Sequence, residues 1–109
     1  MGLFGKTEKP DPRKKAREIS AGFRKEQRGL QRQILQIERE KKKVEMELKK
    51  LAKQGDRDAC RVLAKEIVHT KKAISRIHTS IAQLKSLEYQ VCLLLELFWC
   101  IYYKVTIKN

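Results

Sequence analysis

A chain of 109 residues has room for one small domain at most. Charged residues make up 36% of it, too many for a deep globular core, and 26 Lys and Arg against 13 Asp and Glu give a net charge of +13. That balance disfavours a compact fold and favours phosphate-bearing partners, either nucleic acid or an anionic bilayer. Cys60, Cys92 and Cys100 form an odd, widely spaced set, which argues against a secreted disulfide framework.

Residues 1–12 read as a flexible arm, with Pro10-Asp11-Pro12 blocking helix before Arg13. The opening MGLFGK is not a signal peptide, because no apolar stretch follows it. Gly2 invites a myristoylation reading, but that pattern wants Ser or Thr at the position held by Lys6. What the arm does offer is a small apolar wedge, Leu3 and Phe4, with the Lys6 cation beside it. A cytoplasmic protein is expected.

From about Lys14 to Lys53 the pattern is that of a long helix, roughly 60 Å at about 1.5 Å per residue. Phe23, Leu30, Ile37, Val44 and Leu51 fall at the d positions of a heptad, and Gln27, Ile34, Lys41 and Leu48 at the a positions. The outward b, c and f positions hold Lys25, Arg28, Arg32, Arg39, Lys42, Lys43, Lys49, Lys50 and Lys53, with no acid among them. Glu26, Glu38, Glu40, Glu45 and Glu47 all fall at e or g, where a partner helix could pair them. Gly22 and Gly29, seven apart, mark either a thin face for close packing or weak points in the helix.

Gln54-Gly55-Asp56 is the turn signal in the middle: Gly55 can close the first helix, and Asp56 or Asp58 can cap the second. After the turn at 54–57 a second helix is expected over about 58–88. Its seam is Cys60, Ile67, Ile74 and Ile81 at a, with Leu63, Thr70, Ile77 and Leu84 at d. A tight turn between two periodic helices gives an antiparallel hairpin in which facing residue numbers add to about 111. Leu48 then meets Leu63, Val44 meets Ile67, Ile37 meets Ile74, Ile34 meets Ile77 and Leu30 meets Ile81. Lys41 and Thr70 supply one polar layer, a device that fixes register. The fold class is therefore all-α: a long, coiled-coil-like two-helix hairpin over 13–88, with a flexible N-terminal arm and an apolar C-terminal extension over 89–109.

That extension differs abruptly from what precedes it. It carries five of the seven aromatic residues, and its charges are Glu96, Lys104 and Lys108. The apolar run Val91–Tyr103 is thirteen residues long, short for a membrane span, and Glu96 interrupts it. The heptad of sparse apolar positions is not expected to continue into it. Two readings stay open: non-native coding sequence with an aggregation hazard, or an interfacial segment with Phe98, Trp99, Tyr102 and Tyr103 at the lipid headgroups.

Little in the sequence points to catalytic or metal chemistry. His69 and His78 lie nine apart on different helix faces, with no cysteine at metal-ligand spacing. No glycine-rich phosphate loop, paired-carboxylate site or nucleophile–base arrangement stands out, and an elongated hairpin offers no pocket. No enzyme, cofactor, metal or small-molecule substrate is expected. A charge run alone is as often a solvated face as a binding one. Here the face is cleared of acids and accompanied by the Leu3–Phe4 wedge. Each Lys or Arg near an anionic bilayer contributes about 1 kcal/mol, enough in sum for reversible, salt-sensitive binding.

The opening MGLFGKTEKP, the stretch FRKEQRGLQRQILQIEREKKKVE and the segment VLAKEIVHTKKAISRI resemble the first two helices of the ESCRT-III family, the charged multivesicular body proteins, over about residues 1–88. The similarity is greatest to the branch of vacuolar protein sorting-associated protein twenty-four. The resemblance implies a cytosolic subunit that co-polymerises with other ESCRT-III subunits on endosomal membranes and remodels them during multivesicular body sorting. It also implies that the basic face of a helical hairpin meets lipid through Lys25, Arg28, Arg32, Lys42, Lys49 and Lys50, and that Leu3 and Phe4 insert. Family members carry further, acidic helices and a motif that docks the disassembling AAA ATPase. Where these would follow, the chain reads YQVCLLLELFWCIYYKVTIKN, so a truncated product without the docking motif is expected. The competing functions are a nucleic-acid binder, disfavoured because the helices carry no stacking aromatic beyond Phe23, and a plain coiled-coil interaction protein.

Overall fold

The structure, a computed structural model, describes residues 12–108. Leu3, Phe4, Lys6 and the expected N-terminal arm lie outside the described residues. Two helices account for the rest, α1 over Pro12–Gln54 and α2 over Arg57–Lys108, and no strand occurs among the described residues. The fold is an all-α helical hairpin.

The local sequence explains both helices. α1 is built largely of Lys, Arg, Glu, Gln and Leu, which lose little side-chain freedom in a helix. Pro12 is its first residue, where the missing N–H would have had no intrahelical acceptor in any case. Its end is a Schellman motif: Gly55 takes φ +80, its N–H donates to the Ala52 carbonyl at 3.1 Å, and the Asp56 N–H donates to the Leu51 carbonyl at 3.2 Å. Asp56 then caps α2. Its Oδ1 accepts from the Ala59 N–H at 3.1 Å, and its own carbonyl accepts from the Cys60 N–H at the same distance. Of the two aspartates that could cap, Asp56 does so, and Asp58 sits inside the first turn.

The helices divide into two compact units, one holding the turn (Glu26–Leu84) and one holding the described residues 12–25 and 85–108. In the turn unit the buried residues are Gln27, Ile34, Ile67 and Ile81, with Leu30, Ile37, Val44, Leu48, Leu63, Ile74 and Ile77 half-buried. The Cys60 thiol lies 3.9 Å from the Leu48 carbonyl, an index pair that adds to 108. Lys41 and Thr70 are both half-buried, but the Thr70 hydroxyl donates to its own helix, to the Glu66 carbonyl at 2.8 Å. Gln27 is the more deeply buried polar residue, at 8% exposure, and no buried side-chain polar atom among the described residues lacks a partner.

In the unit of the chain ends, α2 departs from the expected boundary at Glu88 and runs on to Lys108. The reason lies in spacing. Glu88, Cys92, Leu95, Trp99 and Tyr102 are half-buried at intervals of four, three, four and three, with Val91 half-buried beside Cys92, and they carry the inward stripe on, although apolar residues on every side hide it in the sequence. These residues pack onto the start of α1. Ser20 Oγ donates to Glu88 Oε2 at 2.6 Å and lies 3.7 Å from the Cys92 sulfur, and Arg24 Nε sits 3.4 Å from the same carboxylate. Arg13 lies 5.0 Å above the centre of the Trp99 ring. The pairs Ser20–Cys92, Arg24–Glu88 and Arg13–Trp99 add to 112, and Ser20–Glu88 to 108, either side of the expected 111.

The two helical glycines pack against nothing that requires them. A Cβ at Gly22 would meet open space, and one at Gly29 would meet only the end of the Arg32 side chain at 3.9 Å. Gly22→Ala and Gly29→Ala are each expected to raise stability by about 0.5–1 kcal/mol in urea unfolding followed by circular dichroism. Gly55→Ala, placed at positive φ, is expected to lower it by about 1 kcal/mol in the same assay. Ser20→Ala, which strips the short hydrogen bond from the largely buried Glu88 carboxylate, should cost about 1–2 kcal/mol.

Candidate membrane-binding surface

A pair of helices buries one stripe from each partner, and the stripe decides which side chains remain outside. With Ile34 and Ile67 turned inward, the b, c and f positions of α1 must face solvent. Arg28, Arg32, Lys42, Lys49 and Lys50 are all exposed in the turn unit, as are Arg39, Lys43 and Lys53. Lys25, in the other unit, is exposed as well. Lys43 Nζ lies 3.7 Å from Glu40 Oε1, one helical turn back, so Glu40 pairs within α1 and not across to α2. Both partners of that pair are well exposed, so it neutralises little of the face.

Two features of this surface escaped the heptad reading of α1. Leu35 and Met46, also at b and f positions, are 53% and 70% exposed and interleave with the cations. The heptad itself assigns both to the outward face, among the cations. The second feature is a row on α2: Arg61, Lys65, Lys72 and Arg76 are exposed and recur at intervals of four, seven and four. Arg61, Lys65 and Lys72 line an open depression together with Ala64, Val68 and His69. The α2 heptad predicts these outward positions as directly as it does those of α1. Arg61 lies 4.0 Å from Asp58, an exposed pair that leaves the sign of the row unchanged.

The site therefore offers cations on both helices, with apolar side chains between them on α1 and an open groove on α2. Among the described residues no three His, Cys, Asp or Glu side chains come together as a metal site, and the depressions along the helices are open to solvent. Fold and surface together define a class: a helical-hairpin protein that presents an extended, charged face.

Comparison with known proteins agrees with that class. The family profile described as Snf7 matches residues 18–94, and the chain belongs to this family, the ESCRT-III or charged multivesicular body proteins. The match runs past the expected limit of resemblance at Glu88 and takes in the first part of the apolar extension. Among its relatives, charged multivesicular body protein 3 is 48% identical in Xenopus tropicalis and 45% identical in Danio rerio and in Homo sapiens. Each alignment covers 86 residues, 79% of this chain and 39% of the relative. The chain thus spans about two fifths of the length of these relatives.

Seam and face are separable by mutation. Ile34→Ala is expected to cost about 2–4 kcal/mol, because little in a two-helix layer can close over the gap. Arg32→Ala, two residues away and exposed, is expected to stay within about 0.5 kcal/mol of the parent. Thermal unfolding by circular dichroism distinguishes the two.

Proposed function

We propose that the chain is a membrane-binding scaffold subunit that assembles with other ESCRT-III subunits on endosomal membranes and serves multivesicular body sorting. The observation that carries this reading is the segregation of charge on α1: Arg28, Arg32, Lys42, Lys49 and Lys50 are exposed on a side from which acids are missing. Family membership and the printed names of the relatives support the sorting role.

The mechanism follows from the charges. A bilayer containing anionic lipid attracts each Lys or Arg near its surface by about 1 kcal/mol, so the five cations of α1 supply at most about 5 kcal/mol. Crowded cations compete for the same lipids and salt screens them within about 8–10 Å, so the realised figure is lower and falls with ionic strength. Leu35 and Met46 stand among these cations, where their side chains can enter the headgroup region. In the arm, outside the described residues, Leu3 and Phe4 would add at most about 3–5 kcal/mol on burial, with Lys6 beside them on lipid phosphate. Such binding is peripheral and reversible, which suits a cytoplasmic subunit recruited to an endosomal surface. The AAA ATPase that disassembles such polymers is a partner of the assembly, and nucleic acid is the competitor that a basic rod must be tested against.

Co-sedimentation with phosphatidylserine-containing and with neutral vesicles across a salt series tests the proposal. Binding is expected to require anionic lipid, to weaken steeply with salt and to survive excess RNA. The variant R28E/R32E/K42E/K49E should lose at least about tenfold in affinity while keeping its helicity, since reversing four charges replaces attraction with repulsion. Equal binding to neutral vesicles, or an unchanged affinity in the reversed variant, would sink the proposal.

A further inference from the structure

In the unit of the chain ends, α2 packs one side onto α1 and leaves the other uncovered. Leu87, Leu94, Phe98, Ile101 and Val105 recur at intervals of seven, four, three and four, which places them on one stripe of the helix. All five are exposed, from 48% at Leu87 to 65% at Leu94. An 18-residue stretch of α2 has a mean hydropathy of 1.4 with none of it buried, so by length and composition alone it could cross a bilayer. An apolar face of this kind marks an interaction site on a soluble protein.

Charge decides between occupants. Residues 12–25 and 85–107 carry eight Lys and Arg against three Glu. A second copy of the same unit would set like charge against like, whereas anionic lipid complements it. Arg13, held over Trp99, fixes one cation at the flank of the apolar helix, and Lys14, Lys15 and Arg17 are exposed in the same first turns of α1. Trp99 also stacks on Tyr102, with centroids 6.0 Å apart, and both are half-buried, so they sit on the packed side and not at the lipid headgroups.

We propose that the stripe of Leu94, Phe98 and Ile101 is a lipid-docking face that lies in the plane of an anionic bilayer, with the first turns of α1 supplying cations to lipid phosphates. The helix lies flat because its other side is tied to polar groups of α1. Crossing the bilayer would carry Ser20, Arg24 and Glu88, or Arg13 on Trp99, into hydrocarbon. This face uses residues other than the cationic surface of the turn unit and does not rest on that surface binding lipid.

The test reads the stripe directly. In the full chain, F98W/W99F moves the one tryptophan onto the stripe, and vesicles with brominated acyl chains report its contact with lipid. Emission should shift to the blue and be quenched by phosphatidylserine-containing vesicles, both with the native turn unit and with R28E/R32E/K42E/K49E. Neutral vesicles should quench far more weakly at equal lipid. In a second variant, L94S/I101S, partitioning should fall by about tenfold or more with helicity unchanged, since two large apolar contacts are lost. Absence of quenching in both backgrounds overturns the inference, even where the chain still sediments through its hairpin face. So does a blue shift that exists without vesicles and grows with protein concentration, which would make a second copy the occupant. Quenching strongest from bromines at the acyl-chain ends would mean a spanning helix and overturns it as well. Quenching that persists while charge reversal leaves sedimentation untouched would support the stripe and count against the cationic face.

Discussion

A two-helix layer has one seam, and everything else must face outward. This constraint governs the molecule more than any single residue does. Burying Ile34, Ile67 and Ile81 uses up most of the core that such a layer can form, and among the described residues no side chain is fully enclosed. Two consequences follow. Register must be held by a few specific contacts, because among the described residues there is no third element to correct a slip. And function must be read from the outer surface, because among the described residues there is no interior to hold a substrate.

Register is held at both ends of the hairpin by chemically different means. At the turn, Gly55 in a left-handed conformation and the Asp56 cap fix how one helix hands over to the next. At the chain ends, Glu88 occupies a seam position where an apolar residue would be the default. It is kept there by Ser20 and Arg24. A largely buried carboxylate is costly unless its acceptors are filled, so it favours the one alignment that brings both donors to it. The apolar residues that follow could pack on α1 in several ways; Glu88 selects among them.

Much of this was legible in the chain. The heptad positions from Leu30 to Ile81 are buried or half-buried, and the turn followed from Gly55 and Asp56 because glycine at a helix end and aspartate at a helix start have local causes. The continuation of α2 was not legible, for a physical reason. Periodicity reveals a helix only where polar residues interrupt the apolar ones, and from Val91 to Ile107 there are few interruptions. With nearly every position apolar, the inward stripe of Leu95, Trp99 and Tyr102 cannot be told from the outward one of Leu94, Phe98 and Ile101 until α1 is set beside it. Gly22 and Gly29 left two readings open, close packing or weak points in the helix, and with no tight neighbour beside either the structure favours the second.

The same geometry bears on how the apolar end of α2 can coexist with a strongly basic protein in water. A free helix of that composition would associate with anything apolar. Here the side that carries Trp99 and Tyr102 is taken up by α1, with Arg13 over the Trp99 ring, and the remaining stripe is flanked by cations of the same unit. Repulsion between like units disfavours self-association at close range, and the same charges favour a surface of opposite sign. An apolar stripe that is discouraged from meeting its own kind but drawn to anionic lipid has one partner for which both forces agree. That agreement between apolar area and charge, on residues outside the basic face of the hairpin, is what supports the proposed lipid-docking face at the end of α2.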